Sequence, residues 1–311
     1  MRAAVIEKYG EAPVVKEVPA PDSGAIVEVI GAPVNPVDIS IATGKFYAGS
    51  PPLPYVPGGE GIGRLSAGGQ RVYFRAALPN GAMAERSVTS GQTVPLPESL
   101  NVGVAAALGT PGIAAYCGLT NRAQLQKGET VLILGASGVL GTIAVQAARL
   151  LGAGRVVAGA RDPKALEQLK GLGADATVDL NNLEGLTERI KEASGGQLQV
   201  VIDPVWGAPG VAALAALSPF GRFVQLGASA GQEATVNSGL IRGQYRSILG
   251  YTSFLLPWEE QAKAYKMLAD WAAAGKLKVQ HEIVPLDRAA DAWARQKSSP
   301  HLKLVLSPSG S

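Results

Sequence analysis

The sequence predicts an α/β protein that combines a doubly wound parallel sheet with a smaller, irregular β domain. From about residue 129 onward, short apolar runs alternate with stretches that carry apolar residues at helical spacing. The first hundred residues are instead rich in Pro and Gly, with short β-type runs between them. At 311 residues, with 47% apolar and 17% charged residues, the chain is long enough to bury the cores of both domains.

The most informative motif is a set of three glycines at intervals of three, Gly135, Gly138 and Gly141. The run Val131–Leu134 before it is apolar without alternation, which is typical of a buried parallel strand, and a helical pattern follows. Glycine at such a turn lets backbone N–H groups approach an anion at the helix N-terminus. The pattern therefore indicates a dinucleotide pyrophosphate site, with a purely structural strand-turn-helix as the alternative. The predicted cofactor contacts are Gly135, Ala136, Ser137, Gly138, Val139, Leu140 and Gly141.

The end of the next strand bears on which dinucleotide is bound. In the segment Arg155–Asp162, the position where NAD sites place a ribose-binding carboxylate falls near Ala160, and Arg161 follows it. Because a guanidinium suits a 2′-phosphate, the sequence predicts NADPH, with Ala160 and Arg161 as contacts. The alternative is that Asp162 binds the ribose and Arg161 is solvated. Asp162 is followed by a proline and is also a candidate N-cap of the next helix.

Four further apolar runs complete a six-stranded doubly wound sheet. These predicted strands are Ala176–Asp179, Leu198–Asp203, Gly221–Gly227 and Ser247–Gly250. The predicted elements outside this sheet are the β runs Ile26–Ile30, Arg71–Phe74 and Glu85–Val88, the helices Glu259–Ala274 and Arg288–Gln296, and a last strand, Leu302–Leu306. The uncharged segment Val102–Thr120 approaches the length of a membrane span, but Pro111 and its glycines favour a buried helix broken at Gly109–Gly112.

The charge and the single cysteine argue against several classes of protein. A net charge of +3 without a cluster of Lys or Arg argues against nucleic acid as a partner. Cys117 cannot form an intramolecular disulfide and suits a reducing compartment. The N-terminus becomes charged at Glu7 and Lys8, before an apolar signal segment forms. We therefore expect a cytoplasmic protein that has no membrane partner.

Several segments together resemble one family from end to end. They are Val34–Asp38, Pro57–Gly61, Leu108–Tyr116, the glycine turn, Asp203–Gly207, Gly221–Gly227 and Lys303–Leu306. On these motifs the chain resembles a medium-chain dehydrogenase/reductase, and within that superfamily the zinc-free quinone oxidoreductase (zeta-crystallin-like) branch. The resemblance implies a GroES-like β domain formed by residues 1–117 and 253–311, with a Rossmann domain at residues 118–252 inserted into it. It also implies cofactor contacts from Pro204, Leu226 and Gly227, and from Lys164, which is adjacent to the position where relatives have a lysine in the helix after the second strand.

The resemblance also implies that no metal takes part. In zinc-dependent relatives a cysteine stands where this chain has Asn35, and a histidine stands where it has Gly59. His281 and His301 lie in the C-terminal segment, where we expect them on the surface. A carboxylate site around Glu60 is the alternative.

Without a metal, the expected reaction is hydride transfer from NADPH to a quinone or an α,β-unsaturated carbonyl. The candidate catalytic residues are Asn35, Ser40, Tyr47 and Tyr55, which offer polar groups to the substrate. Structural roles are the alternatives, since Asn35 precedes a proline and suits a turn, and the tyrosines suit packing.

Two other functions are compatible with the same resemblance. One is an enoyl-thioester or polyketide reductase of the superfamily, and the other is a non-catalytic NADPH-binding protein with a structural or RNA-binding role. Relatives often form homodimers by pairing edge strands of the nucleotide domain, for which Ser247–Gly250 is available.

Overall fold

The computed structural model describes residues 1–310. Within them the strands are β1 (Arg2–Val5), β2 (Val14–Glu17), β3 (Ala25–Pro33), β4 (Glu60–Leu65), β5 (Arg71–Ala76), β6 (Arg86–Pro95), β7 (Thr130–Leu134), β8 (Arg155–Ala160), β9 (Ala176–Asp179), β10 (Val200–Asp203), β11 (Arg222–Gln225), β12 (Ser247–Gly250), β13 (His281–Pro285) and β14 (Lys303–Ser307). The α-helices are α1 (Pro36–Ala42), α2 (Val102–Ala107), α3 (Ile113–Cys117), α4 (Val139–Leu150), α5 (Pro163–Lys170), α6 (Leu186–Ala193), α7 (Gly207–Ala216), α8 (Ser238–Arg242), α9 (Trp258–Ala273) and α10 (Ala289–Lys297).

The chain forms two compact units. The first, here the terminal unit, combines Met1–Thr110 with the chain from Trp258 onward, and the second, the central unit, is Pro111–Pro257. The predicted joins between domains lie at residues 117/118 and 252/253, a few residues from the observed 110/111 and 257/258.

The terminal unit is built around a barrel of antiparallel strands. β3 pairs with both β4 and β6, and β5 pairs with β4 and β6, so these four strands close a ring. β14 pairs with β3 on the other side, and β13 lies parallel to β14. Fully buried side chains such as Val27, Phe74, Met83 and Trp293 fill the core of this unit. The predicted strands at Ile26, Arg71 and Leu302 are thus confirmed.

The central unit contains one parallel sheet with the strand order β12-β11-β10-β7-β8-β9. All five pairings in it are parallel. This is the order 3-2-1-4-5-6 of a doubly wound dinucleotide-binding fold, read from β9 to β12. Every residue of Thr130–Leu134 is buried, which explains why the run Val131–Leu134 in this central strand is continuously apolar. The prediction of a six-stranded doubly wound sheet is confirmed.

The apolar segment after residue 101 is helical but not straight. Val102–Arg122 is long and apolar enough to cross a membrane, and 72% of its most apolar part is buried within the protein. At Gly109 the backbone angles, φ −61° and ψ −125°, are not helical, and a wider turn spans Leu108–Gly112. The predicted break at Gly109–Gly112 is therefore confirmed.

Candidate functional site

The glycine turn of the central unit joins β7 to α4. Gly135 leaves the strand with φ +59°, in the left-handed region that favours glycine. A Cβ atom on Gly141 would lie 2.4 Å from the carbonyl oxygen of Gly135 and 2.5 Å from the Cα of Ala136, so glycine lets α4 pack directly against the turn. Gly138 is the N-cap of α4, and a Cβ there would meet only the Gly135 oxygen, at 3.4 Å. The N-terminus of α4 is therefore open to an anion.

The ends of three neighbouring strands meet beside this turn. A Cβ on Gly135 would lie 3.0 Å from Val205 and 3.4 Å from Pro204, which follow β10. A Cβ on Gly227, which follows β11, would lie 2.9 Å from the carbonyl oxygen of Pro204. The backbone N–H of Leu226 donates to the carbonyl of Asp203 at 2.8 Å. The structure thus brings together the predicted contacts that follow β7, β10 and β11.

The end of β8 carries the residues predicted to select the cofactor. Ala160 is buried as the last residue of β8, whereas Arg161 and Lys164 are exposed beyond it. Asp162 is the N-cap of α5, and its Oδ1 accepts from the backbone N–H of Lys164 at 2.9 Å, which confirms that predicted role. Two exposed cations therefore follow β8, and their chemistry fits a phosphorylated dinucleotide.

The terminal unit contains a buried polar cluster that the sequence analysis did not predict. It links α1, β4, β5 and β14 to the chain at the end of the α2 segment. We call it the Glu60 cluster, and its members are Asn35, Asp38, Glu60, Tyr73, Arg75, Thr110 and Lys303.

Glu60 lies at the centre of this cluster and is 1% exposed. Its carboxylate accepts from Asn35 Nδ2 at 2.9 Å and from the Tyr73 hydroxyl at 2.8 Å. The backbone N–H of Thr110 donates to both carboxylate oxygens, at 3.0 and 2.8 Å. Arg75 Nη1 lies 3.6 Å from Glu60 Oε2. The buried charge of Glu60 is thus compensated by three donors and a cation, as burial of a carboxylate requires.

Two more buried ionisable groups flank Asn35. Lys303 Nζ donates to Asn35 Oδ1, and burial lowers the pKa of Lys303 to about 8, although the nearby carboxylates act in the opposite direction. Asp38 accepts from the backbone N–H groups of Asn35 at 2.9 Å and Gly59 at 3.3 Å. Burial raises the pKa of Asp38 to about 6, against the effect of these hydrogen bonds.

The four predicted catalytic residues lie in different surroundings. Asn35, 2% exposed, belongs to the Glu60 cluster. Tyr55 is also buried, its hydroxyl has no hydrogen-bond partner among residues 1–310, and burial raises its pKa to about 12. Ser40 is exposed and its hydroxyl donates to the carbonyl of Pro36 within α1, while Tyr47 is 77% exposed. The structure therefore buries two of these residues and leaves two on the surface.

Sequence reasoning missed Lys303 as a member of the site. One signal for it is present, because Lys303 is a charged residue within the apolar run Leu302–Leu306. A charge in a buried strand needs a partner of opposite charge or a set of acceptors. Tyr73 and Arg75 carry no such signal, since the alternation of β5 alone does not say which side chains meet a carboxylate.

Comparison with known proteins places these features in a family. A family model described as "Zinc-binding dehydrogenase" matches residues 139–270. The quinone oxidoreductase of Rattus norvegicus is 30% identical over 311 residues, which cover 94% of this chain and 92% of that protein. The chain belongs to the quinone oxidoreductase family of the medium-chain dehydrogenases/reductases.

This chain has the same fold as a solved quinone oxidoreductase over almost the full length of both chains. That of Thermus thermophilus, described with its complex with NADPH, has a TM-score of 0.85 and 29% identity, covering 99% of this chain and 100% of the other. The predicted GroES-like β domain plus Rossmann domain is thus confirmed.

The 2-methylene-furan-3-one reductase of Solanum lycopersicum is 33% identical over 215 residues, 61% of this chain and 55% of that protein. For several mammalian quinone oxidoreductases, the alignment spans about half of the relative's length.

The side chains that could bind a metal bear on whether this family member holds zinc. No group of three or more His, Cys, Asp and Glu side chains suited to a metal ion occurs in residues 1–310. Glu60, the alternative ligand considered from the sequence, has both oxygens engaged by protein donors. His301 is exposed as predicted, but the surface position predicted for His281 is wrong: it is half-buried, and a Cβ on Gly103 of α2 would lie 2.0 Å from its ring.

Proposed function

We propose that the protein is an NADPH-dependent oxidoreductase that reduces quinones or α,β-unsaturated carbonyls by hydride transfer without zinc. The observation that carries this proposal is the open glycine turn at the N-terminus of α4, with two cations at the end of β8, in a member of the quinone oxidoreductase family. NADPH is the cofactor, in line with the NADPH complex of the Thermus relative.

The residues of the central unit divide the binding of NADPH between them. Gly135, Gly138 and Gly141 let backbone N–H groups face the pyrophosphate at the helix N-terminus. Arg161 and Lys164 bind the 2′-phosphate, and the residues after β10 and β11 hold the other half of the dinucleotide. When bound, NADPH supplies a hydride from its reduced nicotinamide.

Asn35 is the candidate for binding the substrate oxygen, because its amide has a donor to spare. Its Oδ1 accepts from Lys303, and one Nδ2 proton is donated to Glu60. An amide nitrogen carries two protons, so one N–H of Asn35 is left for the oxygen that gains charge as hydride is delivered. The proton that completes the reduction comes from water or from a hydroxyl group. Tyr55 keeps its proton at neutral pH, which makes it a further donor, while Ser40 and Tyr47 remain candidates on the surface.

The absence of zinc is supported by the chemistry of the residues themselves. Asn35 and Gly59 stand where the zinc-dependent relatives have cysteine and histidine, and an amide that already binds Lys303 and Glu60 is a poor zinc ligand. The buried ammonium of Lys303 supplies positive charge at this place instead.

Enone substrates are supported by the likeness to the tomato 2-methylene-furan-3-one reductase, and quinones by the likeness to the rat enzyme. A cytoplasmic location is supported by the single cysteine, Cys117, which is buried and cannot form an intramolecular disulfide.

A homodimer is supported by the open edge of the central sheet. Among residues 1–310, β12 pairs only with β11, and Ile248 in β12 is 36% exposed. Nearby, the exposed rings of Phe220 and Tyr245 stack at a centroid distance of 5.4 Å. An exposed strand edge with apolar side chains suits pairing with a second copy. Ile248→Lys is expected to convert the dimer to a monomer, measured by light scattering after gel filtration; a wild-type monomer contradicts the proposal.

The reaction is tested by following the oxidation of NADPH and NADH with ortho- and para-quinones, 2-alkenals and alkenones, while zinc is assayed in the same sample. Turnover that prefers NADPH, with less than about one zinc per ten chains, is the expected result. Tight NADPH binding without turnover on any acceptor contradicts the proposal and favours a non-catalytic role. Turnover confined to enoyl thioesters favours the thioester reductase instead.

A further inference from the structure

Lys303 has an unusual place for a lysine. It lies on β14, all of whose residues are buried, and it is 2% exposed. Its Nζ donates to Asn35 Oδ1 and, at 3.2 Å, to the carbonyl oxygen of Val34. An ammonium ion loses much of its hydration in such a position, so its retention there needs compensation by the groups around it.

The position of Lys303 fixes the orientation of the Asn35 side chain. An ammonium group can only donate hydrogen bonds and an ionised carboxylate can only accept them. The Asn35 amide lies between Lys303 and Glu60, so its oxygen must face Lys303 and its nitrogen must face Glu60. A neutral amide in place of Lys303 can accept as well as donate, so it removes this constraint and lets the Asn35 amide rotate by half a turn. The amide nitrogen is then no longer held where it can serve a substrate.

Lys303 also changes the donor strength of the amide. A cation on the amide oxygen withdraws electron density from the nitrogen, which makes each N–H a stronger donor, and the effect is larger in a buried site. Glu60 acts in the opposite sense on the same nitrogen. The negative charge of Glu60 is partly neutralised by Tyr73, Arg75 and the backbone N–H of Thr110, so Glu60 weakens the N–H donors of Asn35 less than an unpaired carboxylate would.

We propose that Lys303 is a positioning residue for the reduction, which holds the Asn35 amide in one orientation and places a buried positive charge behind the N–H that binds the substrate oxygen. This inference rests on the proposed function, because it assigns Lys303 a part in that reaction. The oxygen gains negative charge as hydride is added, so an ammonium behind its donor stabilises the transition state more than the bound substrate.

Lys303 should therefore act mainly on kcat and only while it is protonated. Because burial lowers its pKa to about 8, we expect the kcat of the wild-type enzyme to fall as the pH rises through about 8. Asp38 on α1 and Glu60 on β4 act on Lys303 directly. Tyr73 and Arg75 on β5 and Tyr265 on α9 interact with Glu60, and His281 on β13 is the register partner of Lys303.

The test compares the wild-type protein with Lys303→Gln, Asn35→Ala and the double variant, using NADPH and the best quinone found. We expect Lys303→Gln to lower kcat by about tenfold, less than the loss of a direct oxyanion donor, with the KM for NADPH unchanged and the decline above about pH 8 absent. If Lys303 acts through Asn35, the double variant is no slower than Asn35→Ala alone.

Arg71→Gln is the matched control, because Arg71 is a buried cation of the same unit that binds the carbonyls of Pro97, Glu98 and Leu100. It should change the unfolding temperature but not the pH profile.

The possible failures are distinguishable. A wild-type enzyme without activity on any quinone or enone overturns the proposed function and this inference together. Two results with an active wild type overturn this inference alone. One is a Lys303→Gln variant with unchanged kcat and pH profile. The other is a double variant whose loss of kcat is the product of the losses in the two single variants. If Lys303→Gln does not fold, the pH profile of Asn35→Ala decides: loss of the decline above about pH 8 supports the role of Lys303, and its persistence overturns it.

Discussion

Both carboxylate oxygens of Glu60 accept the backbone N–H of Thr110, at 3.0 and 2.8 Å. This contact coincides with the break in the helical segment Val102–Arg122. A Cβ on Gly109 would lie 2.6 Å from Glu60 Oε2, so glycine is needed next to the carboxylate. The segment leaves the helical conformation at Gly109 and offers the N–H of Thr110 to a side chain rather than to the preceding turn.

Glu60→Gln should destabilise the terminal unit strongly. The amide of glutamine presents N–H groups where Glu60 accepts from Tyr73, Asn35 and Thr110, so at least one of these donors loses its acceptor. Removing the partner of a buried cation adds to this cost. We expect the free energy of unfolding, measured by urea denaturation, to fall by about 3 kcal/mol.

Glu98→Gln is the matched control for this substitution. Glu98 lies in the same unit and also pairs with an arginine, Arg64, but its side chain is 66% exposed. Solvent replaces the lost interactions at such a site, so its effect should be much smaller. Equal losses for the two variants would mean that the Glu60 cluster contributes no more than a surface ion pair.

The central sheet could be predicted from the sequence because its signals are local. Val131–Leu134 is buried on both faces and therefore apolar throughout, and the glycine turn directly follows it. Asp162 caps α5 two residues from the N–H that it binds. Such features depend on neighbours in the chain, which is where sequence patterns are informative.

The Glu60 cluster could not be predicted in the same way. The hydrogen bond from Lys303 to Asn35 joins residues 268 positions apart, and the bond from Thr110 to Glu60 joins residues 50 apart. These partners meet only after the barrel has closed. The partial burial of His281 could not be predicted for a related reason. Its ring packs against Gly103, which is far away in the sequence, and no local pattern reveals that contact.

Comparing Gly141→Ala with Gly138→Ala should distinguish the effect of the glycine turn on stability from its effect on cofactor binding. A Cβ on Gly141 meets two backbone groups within about 2.5 Å, which cannot give way without moving α4, so we expect a loss of about 2 kcal/mol in unfolding free energy. Gly138→Ala should stay within about 1 kcal/mol of wild type, since its Cβ makes one contact at 3.4 Å.

Gly138→Ala should nevertheless raise the Kd for NADPH by at least about tenfold, because a methyl group crowds the anion at the helix N-terminus. Titration calorimetry on the folded variant measures this. A normal NADPH affinity in Gly138→Ala would argue that the pyrophosphate does not bind at the N-terminus of α4.

Arg161→Ala should weaken NADPH binding more than NADH binding. The contact with the 2′-phosphate is lost only for NADPH, and a charge-assisted hydrogen bond of this kind contributes about 1.5–3 kcal/mol. Dissociation constants for both cofactors give the difference directly. Lys170→Ala, at the other end of α5, is the control and should leave both constants unchanged. An equal loss for the two cofactors in Arg161→Ala would remove Arg161 from the phosphate site and return Asp162 to consideration as a ribose ligand.

Asp203 should give the stability of the protein a distinctive dependence on pH. It is the fully buried last residue of β10, and burial raises its pKa to about 6 even though the backbone N–H groups of Val205 and Trp206 donate to it at 2.7 and 2.9 Å. A carboxyl group with a higher pKa in the folded state binds its proton more tightly there than in the unfolded chain. Its contribution to stability is therefore full below about pH 4 and is lost as the pH rises through about 6.

Asp203→Asn removes this titration and keeps an oxygen for the same two N–H groups. The unfolding free energy of wild type minus that of the variant should fall by about 3 kcal/mol between about pH 4 and pH 7, as urea denaturation across this range would measure. Asp270→Asn is the control, because the side chain of Asp270 is 60% exposed and its difference from wild type should stay flat. A difference for Asp203→Asn that rises with pH would mean that the two N–H donors outweigh burial, so that Asp203 is held as a carboxylate at the end of β10, beside the cofactor turn.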